Sequence, residues 1–319
     1  MDTQTQTLTM NKLDELFRDV KEYRSSEKFK NYMEFCARFR LLGAYNALLV
    51  ATQRPGVVYA LTVQQWKKYN MRPAANACPL VILMPFGPVD FVFDASDVEH
   101  IPNTPMLKYQ EELDNLIKPF SVEGKVIAEE VRTLLGNLRF WGINYDPNLL
   151  SGSTFAAEIR MEDGEEMGTL KVRGRDFGIM IPYHYRISVN YQADDAEQFA
   201  ALCHELGHYF CRHILPPTRD WWELRDIRPE QQEFEAESVA WLVCQRHGVQ
   251  CKSSAAYLAG YMDKSQKVPA VSIGTIMSAV DQIEHMFKAV TVSSTPLYKH
   301  DDEFYFCLTG KRRNKAAKR

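Results

Sequence analysis

The pentapeptide His-Glu-Leu-Gly-His at 204–208, set in the apolar run FAALCHELGHYFCRHI, constrains this chain more than any other feature. Residues four apart on a helix share a face one turn apart, so His204 and His208 can offer imidazole nitrogens to a single point. Glu205 lies beside them, badly placed as a ligand and well placed to take a proton from a water held there. A hydrolytic zinc site uses three protein ligands and a water, so a further ligand must come from elsewhere. The segment EQQEFEAESVA (230–240) supplies one. On a helix Glu233 and Glu237 share a face while Glu235 points away, which assigns Glu233 as third ligand. Glu237, one turn on, is then free to accept the second ring N–H of a ligand histidine. The expected cofactor is one Zn2+ ion, because two imidazoles and a carboxylate suit zinc better than other divalent metals. Such an ion acidifies water and polarises a carbonyl, with Glu205 as the base, so the expected activity is that of a zinc metallopeptidase acting on a protein or peptide.

Neighbouring residues are read more plainly. His213 is nine residues from His204 and half a turn out of phase on a continuing helix, so it is expected at the surface or as a cap. Cys211 is expected as a buried free thiol. His100, His184, His247, His285 and His300 show no partner pattern, although His247, with Tyr257 and Tyr261, is a candidate for stabilising an oxyanion. The strand preceding the HELGH helix, Arg186–Tyr191, is expected to hold an extended peptide along its edge.

The rest of the chain reads as an α+β protein. Apolar spacing predicts helices at Asn11–Lys21, Lys28–Leu42 and Tyr45–Thr52, the last ending before Arg54-Pro55-Gly56. Thr62 is a candidate N-cap for a short helix around Trp66. Pro79–Pro85 and Val89–Asp94 look like a hairpin across Phe86-Gly87-Pro88. Helical patterns follow at Leu107–Ile117 and Gly124–Leu138, then strands at Met167–Val172, Gly178–Pro182 and Arg186–Tyr191. Asp194 and Glu197 form a capping-box-like start to the HELGH helix, a second helix covers Glu230–Arg246, and a helical region covers Ser254–Val290. The expected division is a small α+β domain at 1–105, ended by the proline-punctuated IPNTP (101–105), a helical connector at 106–153, a metal-binding domain at 154–300, helices packed on a short mixed sheet, and a C-terminal segment at 301–319.

Seven scattered cysteines without a C-x-x-C pair, and a first stretch MDTQTQTLTMNKLDELF without an apolar core, place the chain in the cytoplasm as an expectation. Apolar runs are far shorter than the ~20 residues of a membrane helix, so no membrane partner is expected. Formal charge is −3, yet the last nine residues, KRRNKAAKR, carry six positive charges and no negative one. That tail reads either as a nucleic-acid attractant or as a solvated end.

These residues resemble known families. HELGH followed by EFEAESVA is similar to the gluzincin pattern HExxH…ExxA[D/N/E]xxA shared by ImmA/IrrE peptidases, CAAX-processing peptidases and the C-terminal domain of ArdC-type antirestriction proteins. In that pattern the first Glu binds zinc, which again favours Glu233 over Glu235, and the fold implied is zincin-like. The segment ISVN (187–190) resembles the strand before the HExxH helix in the ImmA group. YNALLVATQRPGVVYALTVQQWKKYNMRP (45–73) and VFDASDVE (92–99) resemble the single-stranded-DNA-binding domain of ArdC. The resemblance implies single-stranded DNA as a second partner and a role in antirestriction, with Tyr45, Arg54, Trp66, Lys67, Lys68 and Arg72 pairing charge with base stacking. The sequence departs from that family where a lysine-rich turn should follow the Trp helix, showing NMRPAANACPL instead, which removes charge that non-specific DNA affinity needs. Two other readings stay open: an ImmA-like regulatory peptidase that cleaves a repressor without touching nucleic acid, and a non-catalytic DNA-binding protein whose zinc is structural.

Overall fold

A computed structural model describes residues 26–84, 89–107, 111–112, 125–146, 157–171, 177–190, 193–217, 221–249, 269–287, 305–308 and 311–313. The helix expected at 11–21, most of that at 107–117, and residues 250–268, with Tyr257 and Tyr261, lie outside them. Among the described residues the protein is α+β, with helices and four small sheets. Two compact units divide the chain: one is Met1–Ser121 with Leu242–Gly248 and Ala255–Asp281, the other Val122–Trp241 with Val249–Ser254 and Gln282–Arg319. None of the described helices is long and apolar enough to cross a membrane.

In the first unit, α1 (Ser26–Arg38) and α2 (Ala44–Gln53) precede β1 (Ala60–Thr62), α3 (Val63–Lys67), β2 (Met71–Pro73), β3 (Leu80–Ile82), β4 (Asp90–Asp94) and β5 (Val98–His100). The strands form an antiparallel sheet in the order β1-β4-β3 and a separate β2-β5 pair. Thr62 caps α3 as expected, in a capping box with Gln65 that satisfies two otherwise unpaired N–H groups. Trp66 is fully buried with Tyr59, Leu61 and Met71.

The second unit holds α4 (Lys125–Leu138), β6 (Ile143–Asp146), β7 (Ala157–Met161), β8 (Met167–Lys171), β9 (Phe177–Pro182), β10 (Tyr185–Val189) and α5 (Asp195–Phe210). Next comes α6 (Pro229–His247), which continues beyond Trp241 into the first unit's residues; α7 (Ile273–Met286), β11 (Tyr305–Leu308) and β12 (Lys311–Arg313) complete the chain. Strand β10 is central in the mixed sheet β6-β10-β7, parallel to β6 and antiparallel to β7. The expectation that this strand offers an edge to a peptide is therefore wrong, because both its sides are already paired; among the described residues the edges of this sheet are β6 and β7. A second sheet has the order β12-β11-β9-β8. The first three residues of the basic C-terminal segment, Lys311–Arg313, lie in β12.

Asp194 caps α5, its carboxylate accepting the Glu197 N–H at 2.8 Å. The helix buries Phe199, Leu202, Cys203, Leu206 and Tyr209 and lies against β7 and β10. A core on that face turns His204 and His208 to the partly exposed side, and this is what positions the site.

Candidate metal centre

The Nε2 atoms of His204 and His208 stand 3.1 Å apart. Glu233, on α6, brings Oε2 to 3.4 Å from the first and Oε1 to 3.5 Å from the second. Two bonds of about 2.0–2.1 Å meeting at a tetrahedral angle hold their donor atoms about 3.3 Å apart, so each of these nitrogen–nitrogen and nitrogen–oxygen spacings is close to that of a zinc ligand pair, one Glu233 oxygen facing each histidine. The approach of α6 depends on Gly207. A Cβ there would stand 3.0 Å from the Ala236 Cα and 3.2 Å from its carbonyl oxygen, so the glycine of HELGH lets two helix backbones close on each other and delivers Glu233 to the histidines.

Proton placement fits a cation too. The Oε1 of Glu237 lies 3.5 Å from Nδ1 of His204, and a proton kept on Nδ1 leaves a lone pair on Nε2. The other oxygen of Glu237, Oε2, is buried without a hydrogen-bond partner among the described residues. The imidazoles beside Glu233 hold its carboxyl well below the usual carboxylate range, although burial opposes them. Burial of His204 works against its charge, but the carboxylates of Glu233, Glu237 and Glu205 prevail and raise its pKa. His204, His208 and Glu233 form a candidate metal-ligand group, and the residues fit a divalent ion.

Glu205 stays outside that triangle. Its Oε2 accepts the backbone N–H of Ile159 at 2.9 Å, on the edge strand β7. Burial pushes its carboxyl up, with His204 and His208 pulling the other way. A carboxylate with a raised pKa next to a cation site is a better proton acceptor near neutrality than an exposed one.

His213 departs from the sequence expectation. Its side chain is 1% exposed, with Nδ1 3.0 Å from Nδ1 of His208 and Nε2 3.0 Å from Oε2 of Glu235. The helical phase used to place it does not apply, because α5 stops at Phe210. Glu235 does point away from Glu233 and Glu237, but into the interior: it is fully buried, with both oxygens on the Arg225 guanidinium. Cys211 is a buried free thiol as expected.

The residues expected to meet DNA are dispersed among other tasks. Trp66 is a core residue, its Nε1 donating to the Phe93 carbonyl at 2.8 Å, so its ring has no face for a base. Arg54 is paired with Asp97 at 2.5 Å and Arg72 with Glu99 at 2.8 Å. Tyr45 is half-buried in the first turn of α2, and its N–H donates to Asp281. Lys67 and Lys68 alone of the six are exposed without a described ion pair. Sequence reading passed over the outer face of β3 and β4 in the same unit, where Val81 and Phe91 are exposed. A cleft of about 520 Å³ there is lined by Thr62, Val63, Gln64, Asp90, Phe91 and Phe93 among others.

No family model and no curated protein matches this chain. Two solved structures are similar to it, both of the antirestriction ArdC protein from the R388 plasmid. The metal-free form is 13% identical with a TM-score of 0.29, the alignment covering 77% of this chain and 84% of that one. The Mn(II)-bound form is 12% identical with a TM-score of 0.30, covering 77% and 83%. Likeness at that level transfers no residue role, and the chemistry rests on this chain's own geometry.

Proposed function

We propose that this protein is a zinc-dependent metallopeptidase. The observation that carries the reading is the triangle of His204, His208 and Glu233 with the Glu205 carboxylate beside it and an edge strand next to that carboxylate. His204, His208 and Glu233 would hold the ion. A divalent cation there supplies acidified water and polarisation of a carbonyl. Glu205 takes the proton of the attacking water and can return it to the leaving amine, and its bond to Ile159 fixes one of its oxygens for that work. The outer edge of β7 offers backbone groups with which an extended substrate can pair, setting a peptide bond near Glu205. Two variants test the reading by separating metal from chemistry. Glu205→Gln should retain zinc and lose hydrolysis of a mixed peptide library, while Glu233→Ala should lose zinc. Hydrolysis surviving Glu205→Gln, or a full zinc content in Glu233→Ala, would sink the respective assignment.

A second partner, single-stranded DNA, is supported by one observation: exposed Phe91 beside a cleft whose rim residues Val63 and Gln64 lie one helical turn before Lys67 and Lys68. Bases stacking on the phenylalanine and phosphates near the lysines is the arrangement such binding uses. Under this reading Phe91→Ala in the full chain weakens oligonucleotide binding by roughly 1–3 kcal/mol, and removing both lysines flattens the salt dependence. Absence of binding at low salt would leave the peptidase reading standing without nucleic acid, and would favour a regulatory protein as substrate.

A further inference from the structure

Helix α5 ends in a way that its sequence does not announce. Arg212 takes the left-handed conformation, with φ of 62°. Its N–H donates to the Tyr209 carbonyl at 3.1 Å, and the His213 N–H to the His208 carbonyl at 2.9 Å. This pair of reversed bonds is a Schellman ending, in which the chain folds back over the last turn of its own helix. The residue after the left-handed position is thereby carried alongside the one five places earlier, and here those residues are His213 and His208.

The contacts that follow have one consistent polarity. Glu235 is fully buried and held by both terminal nitrogens of Arg225, so it is an ionised acceptor whose charge is already compensated. Its Oε2 accepts from Nε2 of His213. With Glu235 already compensated by Arg225, the enclosed His213 needs only the one proton that its Nε2 gives to Glu235, so its Nδ1 is a lone pair, facing Nδ1 of His208 at 3.0 Å. That lone pair can only accept, which puts the His208 proton on Nδ1 and leaves Nε2, the atom pointing at His204 and Glu233, able to bind a cation. Cys211, His213 and Glu235 also lie close enough to resemble a second metal group. The guanidinium on both carboxylate oxygens already supplies the positive charge at that place, so a second cation there would meet repulsion.

We propose that Arg225, Glu235 and His213 form a relay, buried at Glu235 and His213, that fixes the tautomer and orientation of His208, making His213 and Glu235 positioning residues for the metal centre. This rests on the reading of His204, His208 and Glu233 as that centre. Each histidine ligand then has its own carboxylate: Glu237 directly behind His204, and Glu235 behind His208 through an intervening imidazole. Loss of such outer partners typically lowers metal affinity by about 10–100-fold.

The test uses the full-length chain. Zinc affinity is measured by competition with a chromophoric chelator for the wild type, His213→Phe and His213→Gln. The relay predicts a 10–100-fold loss for His213→Phe, which has no acceptor for the His208 proton, and recovery of most of that loss in His213→Gln, whose side-chain carbonyl can still accept it. In parallel, long-range ¹⁵N–¹H correlation of the metal-free wild type should show His208 protonated at Nδ1 and His213 at Nε2, a readout that needs neither metal nor a folded variant. The opposite tautomer at His208, or equal zinc affinity in His213→Phe, overturns the relay. A wild type that binds no zinc while showing the expected tautomers overturns the metal centre and leaves the hydrogen-bond chain intact.

Discussion

Gly207 shows how a single residue can be ranked by competing magnitudes. In a free helix, replacing glycine with alanine gains about 1 kcal/mol of propensity. At this position the new Cβ would meet the backbone of Ala236 at 3.0 Å and the Val239 side chain at 3.3 Å. Backbone cannot rotate away as the end of a long side chain can, so one helix must shift, and overpacking of that kind costs roughly 1–3 kcal/mol. We expect Gly207→Ala to lower the denaturant midpoint and to weaken zinc binding, because moving α6 moves Glu233. A variant as stable as the parent, with unchanged zinc affinity, would show that the helices have room to spare. The arginines teach the complementary lesson. Arg54 and Arg72 look available in sequence because their partners, Asp97 and Glu99, lie 43 and 27 residues further on. Both carboxylates belong to VFDASDVE (92–99), the second segment that resembles the DNA-binding domain, whereas the arginines lie in the first (45–73).

At the scale of elements, what was legible is whatever repeats with a helical or strand period. Helices α2, α4 and α6 match their apolar spacing within one or two residues, α5 does so at its start only, and both Thr62 and Asp194 cap where their side chains allow. The approach of His204 and His208 was legible for the same reason; helical phase put Glu233 and Glu237 on one face apart from Glu235, the resemblance pointed to Glu233, and the fold brings that residue to the histidines. Pairing order was not. Whether β10 is central or peripheral depends on β6 and β7, short strands with weak alternation that went unread. The turn after α5 was hidden because Schellman endings usually carry glycine, and here Arg212 occupies the left-handed position. That exception makes a prediction. A β-branched side chain tolerates positive φ least, so Arg212→Val should destabilise the chain by roughly 1–2 kcal/mol and disturb His213, whereas Arg212→Gly should not. Chemical denaturation of the two variants checks it, and equal stabilities would mean that the turn tolerates the residue through contacts other than its backbone shape.

For the whole molecule, the first unit joins residues 1–121 to 242–248 and 255–281 far along the chain, and its helix termini show why. Arg246 is buried and donates to the carbonyls of Cys36 at 2.7 Å, Phe39 at 3.2 Å and Leu42 at 2.9 Å, satisfying acceptors that the end of α1 and the following turn leave open. Asp281 accepts from the N–H groups of Ala44 and Tyr45, the first two residues of α2. A Cβ on Gly43 would stand 2.7 Å from that carboxylate, so the glycine preceding α2 is what lets a distant residue cap it. Hydrogen bonds to charged groups contribute roughly 1.5–3 kcal/mol each, and a buried carbonyl stripped of its donor has no water to replace it. Residues 1–105 alone lack both Arg246 and Asp281. We therefore expect that fragment to show no cooperative thermal transition by circular dichroism, and Arg246→Met to destabilise the intact chain by roughly 3 kcal/mol or more. A fragment that unfolds cooperatively would mean that α1 and α2 end without help from the C-terminal half. The expected outcome also decides how the nucleic-acid question must be asked: the face around Phe91 belongs to a unit completed by residues 242–248 and 255–281, so oligonucleotide binding has to be measured on the whole chain, where a failure to bind reports on the surface and not on a collapsed fragment.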